Sequence, residues 1–292
     1  MYLDLRGKLP HAYLEMGRLC MKESALHFVN ETTDVVIPAG RIAALFLGPG
    51  TTVTHNAIKQ CSWAKCTMVW VGEDISKCYS VSSSVSRSSE NFQRQVFLYE
   101  HKKGTLLKKY YKKRFGKAPL WGKMSEEKIR GIEGAYMKKI YLENAIKYGI
   151  PWSGRMKADG WDKQTLYNRA ISICNSYLYG LCSAVLNALG YSTALGLLHR
   201  GNMLSFTFDL ADLYKKDYSI PLGFEIAKQF RDVPEWEGLF EKELRRKALH
   251  KFFELNILVK ILTDVEDLLG NTDLHNQEYS RSDEEGPISI SI

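Results

Sequence analysis

The chain changes its hydrophobic period once, near residue 82, and that change limits the fold more than any other feature of its 292 residues. Before it, short runs rich in β-branched and aromatic residues recur between turn signals: "ALHFV", "TDVVIP", "RIAALFLGPG", "TTVT", "CTMVWVG" and "KCYSV". These read as strands, with "HNAIKQCSWAKC" as one helical interruption. After it, residues 91–115, 125–148, 164–189, 204–215, 219–230 and 235–269 repeat apolar residues at spacings of three and four, punctuated by Pro151, Gly190 and Pro234. Between the two regimes lies "SVSSSVSRSSE", residues 80–90, whose serines favour turns over a packed element. The pattern predicts an α+β chain: an N-terminal antiparallel β-sheet domain over 1–82, a linker at 83–90, an all-helical domain over 91–270 and a flexible tail over 271–292.

Several function classes are set aside by what the chain lacks. It has no run of eighteen apolar residues, and its start has no apolar segment behind a charged one, so the expectation is a cytoplasmic protein, neither membrane-spanning nor secreted. Cys20, Cys61, Cys66, Cys78, Cys174 and Cys182 are scattered among apolar neighbours with no C-x-x-C pair, and read as small buried hydrophobes. No G-x-x-x-x-G-K-[ST] loop and no G-x-S-x-G elbow occurs. "GPGTTV", residues 48–53, lacks the third glycine of a dinucleotide fingerprint and reads as a hairpin turn. An enzyme of this sequence works without nucleotide hydrolysis.

Charge points to a polyanion. The net charge is +7 and the pI about 8.9, and the cations are clustered. "HKKGTLLKKYYKKRFGK", residues 101–117, carries Lys102, Lys103, Lys108, Lys109, Lys112, Lys113, Arg114 and Lys117 without an acid, interleaved with Tyr110, Tyr111 and Phe115. A helix surface normally mixes signs, so this tract repels itself unless a partner relieves it. Arg245, Arg246, Lys247 and Lys251 form a second tract, diluted by Glu241 and Glu243. Neither is accompanied by a base-reading motif, which favours contact with phosphates over reading of base edges.

Chemistry is concentrated in "LLHRGNMLSFTFDLAD", residues 197–212. Asp209 and Asp212 are three apart on a predicted helix and share a face, and a turn at Gly201 can fold His199 back beside them. Glu133 lies in "EEKIRGIEGAYMKKIY" among Ile129, Ile132, Tyr136 and Ile140, with Gly131 and Gly134 as small neighbours. A carboxylate in apolar surroundings is costly unless it is paired or coordinated. Spacing alone leaves two readings open: a metal site of Glu133, His199 and Asp212, or a hydrogen-bonded core histidine with carboxylates paired to Lys138 or Lys215.

"KIRGIEG" (128–134), "YLYGLCSAVLNALGYSTALGLLHRGNMLSFTFDLADL" (177–213), "PLGFEIAKQ" (221–229) and "IPAGRIAALFLGPGTTVTHNAI" (37–58) resemble the CRISPR-associated integrase, the larger subunit of the spacer-acquisition complex, in its type I-E branch. The likeness runs from about Leu9 to Leu269. It implies a β domain before a helical catalytic domain, a homodimer, and a small dimeric CRISPR-associated partner protein. It also implies that Glu133, His199 and Asp212 hold Mg²⁺ or Mn²⁺, with Asp209 supporting the catalytic site. Lys59, Lys77 and Arg130 stand where relatives place basic residues at DNA, and Arg200 joins Lys108, Lys109, Lys112, Lys113, Arg114, Arg245 and Arg246 as an expected contact. The chain departs from the family pattern at Met16, Thr52 and Asn202, which bears on recognition of the motif flanking an incoming spacer.

The implied reaction is attack of a spacer 3′-OH on a repeat phosphodiester, exchanging one such bond for another. A stand-alone metal-dependent nuclease on branched DNA and a non-catalytic DNA scaffold are the alternatives. The tail's "GPISISI", residues 286–292, alternates as a strand added to a partner's sheet does.

Overall fold

The computed structural model describes residues 5–72, 77–82, 89–116, 126–152, 154, 165–233 and 238–270. Most of the expected linker and all of the expected tail lie outside the described residues. Strands β1 (Leu9–Leu14), β2 (Gly17–Lys22), β3 (Ala25–Val29), β4 (Asp34–Val36), β5 (Ile42–Leu47), β6 (Thr51–Val53), β7 (Thr67–Val71) and β8 (Cys78–Val81) come first, with helix α1 (His55–Trp63) between β6 and β7. Helices α2 (Glu90–His101), α3 (Lys103–Phe115), α4 (Glu126–Tyr148), α5 (Leu166–Ala188), α6 (Ser205–Asp212), α7 (Ser219–Phe230), α8 (Leu239–Glu254) and α9 (Ile257–Leu269) follow. The division into a strand region and a helical region is therefore the one the change of period predicts.

The strand pairings are mixed, not antiparallel throughout. One sheet runs β1-β5-β7-β8 and the other β4-β3-β2-β6. β1 with β5, β5 with β7, and β2 with β6 are parallel pairs; β2 with β3, β3 with β4, and β7 with β8 are antiparallel. Parallel neighbours need a crossover. The segment β2–β4 supplies it between β1 and β5, and α1 supplies it between β5 and β7. The "GPG" turn is correspondingly not a hairpin. It carries the chain from β5 in one sheet to β6 in the other, where the carbonyls of Pro49 and Gly50 accept from Met16 and Gly17, and Gly50 takes a φ of +69° that glycine adopts without strain.

β5 is buried at every position because both faces of its sheet are covered. Ile42, Leu45 and Leu47 pack with Leu19, Leu26, Phe28 and Cys61 of the second sheet and α1. Ala43, Ala44 and Phe46 face the helices, in one core with Tyr177, Leu178 and Leu181 of α5. At this seam the ring of His11 stacks on Tyr177 at 4.6 Å and meets Phe46 and Phe252 edge-on at 5.5 and 5.3 Å. The phenyl of Phe46 also lies over Gly180, where any Cβ would overlap it.

Among the described residues α5 is the central helix, apolar nearly all round and enclosed along most of its length. α7 approaches it closely because Gly223 presents no side chain to Ile171. Two of the long helical stretches are broken in two. Residues 91–115 divide at Lys102, which leaves helical geometry at φ −130°, and 235–269 divide at Asn256, which adopts the left-handed conformation at φ 50° that asparagine tolerates. No helix among the described residues is long and apolar enough to cross a membrane. The six cysteines are free; Cys61, Cys66, Cys174 and Cys182 are buried, and Cys20 and Cys78 are half-buried.

Candidate active site

α6 is short, but its eight residues send two carboxylates to different tasks. Thr207 holds the helix to α5 through Ser183 at 3.1 Å, and the Tyr110 hydroxyl on α3 donates to the Asp209 carbonyl at 2.8 Å. The Asp209 side chain is fully buried. It accepts from the backbone N–H groups of Leu197, Leu198 and His199 and from His199 Nδ1 at 2.7 Å. Asp209 therefore folds the 196–200 loop and aims the imidazole. Gly196 lets this loop close, since a Cβ there would run into the His199 carbonyl and Ser205, and Gly201 turns the chain away at φ +78°.

Asp212, one turn on, faces a cleft of 720 Å³ shared with Glu133 of α4, His199, Arg114 and Lys215. Glu133 and Asp212 are joined by Arg114, whose Nη2 lies 2.7 Å from Glu133 Oε1 and whose Nη1 lies 3.1 Å from Asp212 Oδ2. Lys215 Nζ takes the other oxygen of Asp212 at 2.5 Å. Gly131 and Gly134, beside Glu133, have open space where a Cβ would stand. Glu133, His199 and Asp212, which the family resemblance singles out, thus line one cleft. As they stand, no three His, Cys, Asp or Glu side chains among the described residues are grouped closely enough to hold one ion, and Arg114 and Lys215 engage the carboxylates.

Protonation follows the same contacts. Burial alone would push the Asp212 carboxyl up, but Lys215 and Arg114 hold it below the ordinary carboxylate range. The hydrogen bond to Asp209 raises the His199 imidazole, working against its burial. Burial pulls the Lys215 ammonium down, and Asp212 more than restores it.

The expected DNA-contacting set divides once burial is considered. Lys59, Lys77, Lys108, Lys109, Lys112, Arg200 and Arg246 are exposed, although Lys109 reaches the Asp267 carbonyl at 2.9 Å and Arg246 pairs with Glu243. Lys113 is clamped by Asp264 and Asp267 of α9 at 2.7 and 2.6 Å, so the acids missing from the tract come from another helix. Arg245 lies over the Tyr13 ring at 4.7 Å. The Arg130 side chain lies outside the described set. Arg114 differs from the rest of the tract: at 4% exposure it lines the cleft and not the outer surface of α3. Leu106, Tyr110 and Arg114, at successive spacings of four, form the buried face of α3; that helical period was the available signal for Arg114's place. Trp152 and Asn175 also line the cleft, and no motif marks them.

With the geometry in place, comparison with known proteins identifies the class. Residues 108–252 match the family described as "CRISPR associated protein Cas1". A Rhodospirillum rubrum protein named CRISPR-associated endonuclease Cas1 1 is 33% identical over 91% of this chain and 86% of its own length. The Escherichia coli K12 CRISPR-associated endonuclease Cas1 is 30% identical over 99% and 93%. Among solved structures, TtCas1 superposes with a TM-score of 0.76 at 31% identity, covering 90% of this chain and 98% of that one. A casposase shares the fold at a TM-score of 0.63 and 14% identity, over 88% and 90% of the two chains. The chain belongs to the Cas1 family of CRISPR-associated endonucleases.

Proposed function

We propose that the chain is a divalent-metal-dependent DNA integrase of the type I-E acquisition machinery, joining a short foreign duplex to a CRISPR repeat. The observation that carries this reading is the meeting of Glu133, His199 and Asp212, 79 residues apart at the extremes, on one cleft. A solved TtCas1–DNA complex, superposing at a TM-score of 0.66 and 30% identity over 90% of this chain and 97% of that one, supports DNA as the substrate.

The donor set fits Mg²⁺ or Mn²⁺. Two carboxylates and one imidazole form a mostly hard set, with the imidazole tilting it toward Mn²⁺. With Nδ1 donating to Asp209, the neutral His199 ring would offer the lone pair of Nε2 for coordination. Bound there, the metal supplies Lewis-acid stabilisation of phosphodiester oxygens. Glu133, His199 and Asp212 would hold it, Asp209 orients His199, and Arg114 and Lys215 would place positive charge where a phosphate enters. The spacer's 3′-OH forms a new P–O bond as the repeat's P–O3′ bond breaks, so no nucleotide is consumed. The protein acts as a cytoplasmic homodimer with a small dimeric CRISPR-associated partner.

The test is joining of a labelled duplex with free 3′-OH ends to a repeat-bearing plasmid, with Mg²⁺ or Mn²⁺ and with and without the partner protein. Glu133→Gln, His199→Ala and Asp212→Asn are expected to fold, bind DNA and fail to join. Cutting without joining would instead indicate a stand-alone nuclease. Undiminished joining in all three variants would move the chemistry elsewhere.

A further inference from the structure

Arg114 is enclosed on every side that matters to its motion. Nη1 is 3.0 Å from the Tyr110 hydroxyl, the guanidinium lies 5.4 Å from the Phe115 ring centre, and Nε is buried with no hydrogen-bond partner. A buried guanidinium with an unmet donor is costly, and the two carboxylates it joins come from α4 and α6. It cannot shed its proton, because an arginine stays charged inside proteins. Nor can it swing to solvent without breaking contacts with three residues.

With Lys215 on the far side of Asp212, the two carboxylates are each ion-paired within the protein, and Lys138 adds a third cation to the cleft lining, so the cleft carries no uncompensated negative charge without any ion. A divalent cation added to the same carboxylates leaves the cleft with an excess of positive charge. In a partly buried site that excess is unfavourable until an anion enters, and a DNA phosphate is the anion this cleft would admit. Resting on the metal-dependent reading above, we infer that Arg114 is a positioning residue that couples metal loading to DNA binding. It holds Glu133 and Asp212 in register and keeps the ion weakly bound until a phosphate arrives. By linkage the ion then strengthens DNA binding by the same factor.

The measurement is free Mn²⁺ by electron paramagnetic resonance in titrations of the full chain, with and without a short duplex bearing dideoxy 3′ ends so that no joining occurs. The wild type should bind Mn²⁺ about tenfold more tightly with the duplex present. Arg114→Gln, checked for folding by circular dichroism, should bind Mn²⁺ about tenfold more tightly than the wild type without DNA, and gain little more from the duplex. Arg114→Lys, which keeps the charge, should retain the coupling. A folded Arg114→Gln with wild-type affinity and wild-type coupling overturns the inference. Equal weakening in both variants does so too, because it reduces Arg114 to shape alone. Should Arg114→Gln not fold, a wild type whose Mn²⁺ affinity ignores the duplex is sufficient to overturn it. Failure of the underlying metal reading looks different: no Mn²⁺ binding in either condition, or binding untouched by Glu133→Gln.

Discussion

Asp209 grips His199 twice through one oxygen, with Oδ1 3.1 Å from the backbone nitrogen and 2.7 Å from Nδ1 of the ring. Its other oxygen takes the amides of Leu197 and Leu198. All four partners donate, so an amide in place of the carboxylate sets N–H against N–H in a buried site. Asp209→Asn should cost about 3 kcal/mol of folding stability, read as a lower denaturant midpoint at unchanged slope. His199→Gln leaves the three amides in place and should cost less than about 1 kcal/mol. The reverse order would show that Asp209 does not anchor the loop.

Gly180 and Phe46 set how closely α5 lies against the first sheet. A Cβ at Gly180 would overlap the Phe46 ring, in a core shared by strands and helices. Gly180→Ala should destabilise the chain by about 1–3 kcal/mol through overpacking. Phe46→Leu alone should also destabilise, by leaving a cavity. Combined, the two changes relieve each other, and the double variant should lose less than the sum of the singles. Strict additivity in thermal or denaturant unfolding would mean that the contact does not limit packing.

His11 gives the fold an acid-sensitive point outside the residues that line the cleft. It sits among Phe46, Tyr177 and Phe252 with Nδ1 unpartnered, and burial pulls its imidazole from 6.5 down to about 3. The unfolded chain therefore binds a proton below pH 6.5 that the folded chain refuses. Stability from this group is full above pH 6.5 and is lost as the pH falls toward 3, at up to about 1.4 kcal/mol per pH unit. His11→Leu, of similar size and apolar, should flatten the stability profile between pH 6 and 4 by about that slope. An unchanged profile would show that His11 takes up a proton without unfolding.

Periodicity carried a good deal of this structure. Segments 125–148, 164–189 and 219–230 became α4, α5 and α7 within two residues, because long amphipathic or apolar helices repeat their signal many times. The strand runs were legible, but their partners were not. β5 is buried on both faces, so its six apolar residues carry no alternation from which neighbours or direction could be read. β1 and β2 fall outside the recognised runs, since "LPHAYL" and "GRLCMK" mix proline, charge and apolar residues without a clean period. The cleft was legible through the family resemblance more than through spacing, which left Glu133, His199 and Asp212 open to two readings; the three line one cleft from three segments. Arg114 was hidden by its neighbours, a buried cation in a run of exposed ones, and only its register with Leu106 and Tyr110 marks the difference. The charge balance of the cleft also depends on Lys215, which spacing alone placed at the surface as an optional partner.

The cationic tract makes a quantitative test of how DNA lies on α3. Lys108 and Lys112 are exposed one turn apart, whereas Lys113 is occupied by Asp264 and Asp267. A lysine that neutralises a phosphate releases a condensed counterion, and each such contact adds about −0.9 to the slope of log affinity against log salt. If α3 follows the duplex backbone, Lys108→Ala with Lys112→Ala should make that slope shallower by about 1.8. It should also weaken binding to unrelated sequences equally, since phosphates carry no sequence. Lys113→Ala removes a charge already balanced within the protein, so it should leave the salt slope where it was and lower thermal stability instead. Fluorescence anisotropy of a labelled duplex across a series of salt concentrations separates the outcomes. A slope that shifts with Lys113 but not with Lys108 and Lys112 would place the DNA against the α3–α9 seam and not on the exposed face of α3.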